Sequence, residues 1–81
     1  MIVVDVLVPV TGKTYDFTID ENVPVQTVTD DIVDLIIQKE GYVNQSGSDM
    51  QLFSHEKRSA LETWQTLAEN GVKNGDKLIL V

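Results

Sequence analysis

Gly12-Lys13-Thr14 is the segment nearest in type to cofactor chemistry, since phosphate-binding loops end in glycine, lysine and a hydroxyl residue. That loop needs a second glycine five positions earlier, and position 7 is Leu7. Without a glycine-lined cradle, the triplet reads as a hairpin turn. Asp30, Asp31 and Asp34 are the densest carboxylates, and Asp30 and Asp34 share one helix face. Calcium takes roughly six to eight oxygens from a folded loop, and no such spacing occurs, so these acids read as a solvated face. Their place early in a helix suits its dipole. His55 is the single histidine, so neither a histidine pair nor a two-histidine metal site can form. It sits in the polar turn Ser54-His55-Glu56-Lys57-Arg58-Ser59, with no nucleophile elbow near it. With no cysteine, thiol nucleophiles and disulfides are excluded. No catalytic residue, metal ligand or cofactor site is assigned.

Charge narrows the partners. The chain has 13 acidic and 6 basic residues, a net charge of −7. Such a surface repels phosphate backbones and anionic lipids, which disfavours nucleic acid and membrane surfaces as partners. No apolar run approaches the roughly 20 residues that span a bilayer. The start Met-Ile-Val-Val-Asp lacks the features of a signal peptide, so a cytoplasmic location is expected. Lys57-Arg58 is the one adjacent basic pair, read as a solvated turn or as a contact to an acidic partner. Trp64 is expected to cover the edge of the core, or else to anchor an interface. Asn44-Gln45-Ser46 matches a glycosylation sequon, which has no meaning without secretion.

Eighty-one residues, 42% of them hydrophobic, make one small domain over 1–81 with one modest core. Ile2 to Val8 is β-branched and reads as a strand. Asp5 is not expected to be buried alone, so Ile2, Val4, Val6 and Val8 should face inward. Val3, Asp5 and Leu7 then face outward. Pro9 ends the strand, and Thr11-Gly12-Lys13 turns the chain into Thr14–Asp20, with Tyr15, Phe17 and Ile19 inward. Pro24 suits a first helical turn, and apolar residues at 25, 28, 32, 35 and 36 predict a buried stripe. Val33 and Ile37 widen that stripe, with at least one partly exposed. Gly41 is a C-cap. Tyr42 to Asp49 reads as loop, and Met50-Gln51-Leu52-Phe53 as a short strand with Met50 and Leu52 inward. Leu61 begins a brief strand, Thr66-Leu67-Ala68-Glu69 a helical turn, and Val72 enters the core. Asn74-Gly75 is a tight turn before the last strand, Asp76 to Val81. This order predicts an α+β β-grasp: a mixed sheet of four to five strands wrapped on one helix, with the last strand beside the first.

At these positions the chain resembles ubiquitin. The fragments that carry the resemblance are Thr11-Gly12-Lys13-Thr14, Lys39-Glu40-Gly41 and the spaced pattern of Leu61, Thr66, Leu67, Val72, Leu78, Leu80 and Val81. It is more closely similar to the small bacterial ubiquitin-like proteins of type VII (Esx-type) secretion clusters, the YukD/EsaB family. The shared features are Tyr15-Asp16-Phe17, the helix start Pro24-Val25 and the turn Asn74-Gly75-Asp76. The resemblance implies a cytosolic, non-enzymatic accessory or adaptor protein of a secretion machine, working through protein contacts. Conjugation and sulfur transfer in the ubiquitin fold use a flexible Gly-Gly tail, and this sequence ends on a strand at Val81. A binding module unrelated to secretion is the alternative, and a sulfur carrier or conjugated modifier a third reading.

The expected partner-binding residues lie on the outer face of the sheet: Val3, Leu7, Phe53, Ile79 and Val81, rimmed by Asp5, Gln51 and Lys77. Contiguous exposed apolar patches often mark partner surfaces. In ubiquitin, which this chain resembles, the corresponding face is the main recognition surface. A homodimer contact is the other use such a patch would have.

Overall fold

The computed structural model describes residues 1–41 and 50–81. The expected loop at Tyr42 to Asp49, with its sequon, lies outside them. The chain runs through β1 (Ile2–Val8), β2 (Lys13–Ile19), α1 (Val25–Glu40), β3 (Leu52–Ser54), β4 (Ser59–Ala60) and β5 (Lys77–Leu80). The sheet order is β2-β1-β5-β3-β4. β1 and β5 are parallel and the other neighbours antiparallel, so the sheet is mixed as expected.

Alternation in β1 came out as the parity of Asp5 demands. Val4, Val6 and Val8 are fully buried, while Val3 and Leu7 are each 40% exposed. The strand ends at Pro9, and the N–H groups of Thr11 and Gly12 both donate to the Val8 carbonyl, at 3.1 and 2.9 Å. Gly12 takes φ +71°, a left-handed conformation that glycine adopts without steric cost. The chain then returns as β2, with Tyr15 buried and Phe17 and Ile19 packed partly against the core.

The helix starts without a side-chain cap, because Pro24 occupies the cap position in an extended conformation (φ −56°, ψ 143°). Its orphan donors are satisfied from elsewhere in the chain. Val25 N–H donates to the Gln65 carbonyl at 2.8 Å, and Gln26 N–H to the Thr63 carbonyl at 3.0 Å. The first turn holds no acid, so Asp30 and Asp31 lie beyond the reach of the dipole effect expected of them. At the other end Gly41 takes φ +84° and its N–H donates to the Ile37 carbonyl, the expected cap.

The buried stripe is Val25, Val28, Thr29, Ile32, Val33 and Ile36. Leu35, expected within it, is 50% exposed, and Ile37 is 37% exposed. At about 100° per residue, Leu35 and Ile37 fall on opposite margins of a stripe centred on Ile32 and Ile36. Thr29 takes the inner place because its hydroxyl donates to the Val25 carbonyl at 2.8 Å, which satisfies the polar atom in the core.

Three further boundaries differ from the sequence reading. β3 is shifted toward Ser54, although Gln51 and Val81 still exchange both backbone bonds, at 2.6 and 3.0 Å. β4 precedes Leu61, whose N–H donates to the Leu52 carbonyl as its side chain enters the core. Residues 67–71 form turns rather than a helix, and Thr66 makes an isolated antiparallel bridge to Pro24. Thr66 and Glu69 hold that segment reciprocally, Thr66 N–H on Glu69 Oε1 at 2.9 Å and Glu69 N–H on Thr66 Oγ1 at 3.0 Å. This is capping-box chemistry closing one turn.

β5 lies between β1 and β3, and Leu78 and Leu80 are each 1% exposed. The final hydrophobic segment is the middle of the molecule.

Candidate protein-binding face

Because β1, β5 and β3 are adjacent, their outward residues form rows across the sheet. Leu7 stands opposite Ile79, and Ile79 opposite Phe53, giving one apolar row over the centre. Val81 lies two residues beyond Ile79 on the same strand face and is 45% exposed. The next row is polar: Asp16, Asp5 and Lys77 stand in register across β2, β1 and β5. Val3 lies beyond that row, roughly 13 Å along the strand from Leu7. The structure therefore brings together Leu7, Ile79, Phe53 and Val81, and leaves Val3 separate. The patch expected to be contiguous is cut by Asp5 and Lys77.

The apolar row is not flat. A hollow of about 380 Å³ is lined by Phe53, Ser54, His55, Arg58, Ile79 and Val81. A second, of about 320 Å³, is lined by Asp5, Leu7, Thr14, His55, Lys77, Leu78 and Ile79. Ile79 and His55 belong to both. The sequence reading placed His55 on an ordinary surface turn and gave Lys57-Arg58 as a solvated turn or a contact to an acidic partner, without seeing His55 and Arg58 as walls of these hollows. Arg58 has φ +56°, unusual for a non-glycine residue, and its N–H donates to the Ser54 carbonyl at 2.8 Å. The polar turn itself is legible in the sequence, but nothing there marks the left-handed conformation at Arg58 that aims these side chains at the sheet.

The basic pair Lys57-Arg58 divides its work. Lys57 Nζ donates to the Asn70 carbonyl, joining the β3–β4 turn to the 66–71 segment. Arg58 instead lines the larger hollow. Asn70 is buried, its Oδ1 accepting from Glu62 N–H at 2.9 Å and its Nδ2 donating to the Thr66 and Glu62 carbonyls at 2.9 and 3.2 Å. It clamps the strandless stretch between β4 and β5.

Asp5 and Asp16 face each other directly across β1 and β2. The backbone of Asp5 bonds toward β5, so this is a non-hydrogen-bonded pair, the kind whose side chains approach most closely. A hydrogen bond shared with Asp5, together with its like charge, raises the Asp16 carboxyl above its ordinary value. At the hairpin end, Lys13 Nζ donates to both carboxylate oxygens of Glu40 at 2.7 and 3.1 Å. That ion pair holds Glu40 below its ordinary value and commits Lys13, so Gly12-Lys13-Thr14 serves as a braced hairpin turn. Tyr15 adds its hydroxyl, donated to Thr11 Oγ1 at 3.1 Å, and the Lys39 ammonium lies 5.4 Å from the Tyr15 ring centre.

Asp30, Asp31 and Asp34 are all exposed. Among the described residues, no group of three or more histidine and acidic side chains could hold a metal ion. Among them, too, no helix is long and apolar enough to cross a membrane. Trp64 is 72% exposed and does not cover the edge of the core as expected. The central face thus offers apolar area in shaped hollows with a polar and cationic rim, which is what a protein contact requires.

Solved structures share this architecture. The ubiquitin-like domain of an Arabidopsis thaliana protein matches with a TM-score of 0.75 at 21% identity, covering 99% of this chain and 74% of that one. Caldiarchaeum subterraneum ubiquitin matches with a TM-score of 0.70 at 22% identity, covering 98% and 89%. A chain of the MycP5-free ESX-5 inner membrane complex matches with a TM-score of 0.78 at 23% identity, covering 99% of this chain and 20% of that one. These likenesses show the ubiquitin-like β-grasp fold. No curated protein matches the sequence. The family model described as "WXG100 protein secretion system (Wss), protein YukD" matches residues 2–80, and the chain belongs to that family.

Proposed function

We propose that this YukD-family protein is a non-conjugated, cytosolic accessory or adaptor component of a bacterial type VII secretion system, acting without catalysis by docking onto another protein. The docking surface is the outer sheet face: Leu7, Ile79, Phe53 and Val81 at its centre, with Val3 at its margin. The observation that carries this reading is the apolar row Leu7–Ile79–Phe53, in which Leu7 is 40% exposed and the half-buried Ile79 and Phe53 line two hollows in the middle of the sheet. Fully burying an exposed side chain of this kind contributes about 1.5–3 kcal/mol; these are already part-buried, so each would add roughly half of that or less on docking, and several must act together. Arg58, Lys77 and His55 around the row would orient the partner rather than supply most of its affinity.

The family assignment supports a place in secretion, and the same fold within an ESX-5 inner membrane complex supports a role inside an assembly. Crosslinking pull-down from native lysate, with intact-mass measurement of the bait, tests this. Wild-type protein is expected to capture a secretion component with its own mass unchanged, and Leu7→Asp/Ile79→Asp to lose that component. A double variant that retains every partner, or a bait carrying a covalent protein adduct, would remove the proposal.

A further inference from the structure

The opposite side of the sheet ends in a free strand. β2 is the first strand of the order and pairs, among the described residues, with β1 alone. The direction of its backbone groups follows from β1. Asp5 N–H donates to Asp76, and the Val3 carbonyl accepts from Gly75, so the odd-numbered residues of β1 turn toward β5. The even-numbered ones turn toward β2 and bond Lys13, Tyr15, Phe17 and Ile19. Thr14, Asp16 and Thr18 therefore present their N–H and C=O groups outward, three donors and three acceptors in a row.

Beside that edge runs a groove between β2 and α1. It has a volume of about 210 Å³ and an apolar floor that includes Phe17, Val23, Val28 and Ile32. Leu35, half exposed, forms its outer wall and also lines a smaller hollow with Phe17. Asp20 and Asp31 stand at its rim and Asp16 on the strand beside it, with Lys39 the one base, at the end of the smaller hollow, so three acids outnumber it. Free main-chain groups next to an apolar groove are what an added strand requires: main-chain bonds for affinity, alternate side chains for the groove. The acidic rim decides which strand. It repels a second copy of this acidic chain and favours lysine or arginine on the incoming segment.

We infer that the β2 edge and the β2–α1 groove bind an extended segment of a partner protein that is apolar at alternate positions and flanked by basic residues. This surface is separate from the Leu7–Ile79–Phe53 face, so the molecule has two docking surfaces of different chemistry.

The test is an amide-resolved NMR titration of the whole chain with two capped nonapeptides. One is Lys-Lys-Val-Thr-Val-Thr-Val-Lys-Lys, and the other carries glutamate in place of every lysine. Shifts are expected at the Thr14, Asp16 and Thr18 amides, with the lysine peptide binding at least about tenfold more tightly. Thr18→Pro removes an outward N–H that bonds no other group among the described residues, a substitution edge strands tolerate, and should abolish the shifts at unchanged Tm. Leu35→Lys, on the other wall, should weaken binding about tenfold or more without touching the strand. The inference is overturned by no saturable binding up to about 1 mM, equal binding of both peptides, or a shift map on Leu7 and Ile79. Unweakened binding by Leu35→Lys, or by folded Thr18→Pro, would overturn it as well.

Discussion

The two faces of the central strands are built from the same backbone and do opposite things. On β1, Val4, Val6 and Val8 have no exposed area, while the intervening Val3 and Leu7 keep 40% of theirs. On β5, Leu78 and Leu80 are buried and Ile79, between them, lies open to two hollows. Burial and exposure thereby alternate at one-residue resolution. The inner face is constrained by close packing, where even a methylene is felt. The outer face is constrained only by strand propensity and solubility, so a row of large apolar residues there calls for a reason beyond folding.

The sharpest way to break this comparison is to truncate neighbours on one strand. Leu78→Ala should destabilise the protein by about 2–5 kcal/mol through lost burial and a cavity, whereas Ile79→Ala should cost about 1 kcal/mol or less. Denaturant unfolding checks both, and equal losses would show that the outer row belongs to the core. Next in size is Asn70→Ala, which leaves the bonded groups of Glu62 and Thr66 without their partner. It should cost about 2–3 kcal/mol in the same assay. A value near zero would mean that the clamp between β4 and β5 is held by its apolar neighbours alone.

Charge sharpens the comparison with smaller effects of opposite sign. Glu40 sits below its ordinary value in the fold because of Lys13, so this pair stabilises above that value and the contribution fades as pH falls through the folded one. Asp16 is raised from an ordinary 3.8, so its ionised form opposes folding at neutral pH and the opposition is relieved as acid protonates it. Glu40→Gln should therefore lower Tm, and Asp16→Asn should raise it slightly, at neutral pH. Both differences should vanish well below 3.8. Thermal melts at the two pH values check the signs. Smallest of all is Trp64→Ala, expected to change stability by no more than about 0.5 kcal/mol because the ring is 72% exposed.

Much of this was readable from residue order, and the reasons are local. Asp5 set the parity of β1, since a lone buried carboxylate is too costly, and β1 in turn set the orientation of every outward residue beside it. Gly41 and Gly75 sit where the chain needs positive φ, at +84° and +88°, and both were recognisable by their neighbours. The fold class and the neighbourhood of β1 and β5 followed from these. Leu35 was misplaced because apolar spacing gives the width of a stripe but not its centre. Only packing showed that Thr29 lies inside, that Ile37 rather than Val33 is the exposed one of that pair, and that Leu35 lies at the margin. Val3 shares its outward parity with Leu7, but the polar row between them appears only once Lys77 is in register with Asp5. His55 and Arg58 became walls of the hollow through a left-handed turn at a non-glycine residue, which no propensity marks. Asn70 directly follows the segment read as a helical turn; its clamping role depends on Glu62, eight residues away, meeting it in space.

The outer row of the sheet is the proposed point of contact with the partner. The most direct measurement is the affinity of the protein captured from lysate for wild type and for Ile79→Asp, with folding stability determined on the same samples. A loss of affinity of about 30-fold or more, with stability changed by no more than about 1–1.5 kcal/mol, is the expected result. Unchanged affinity in a folded Ile79→Asp protein would contradict it and place the contact elsewhere.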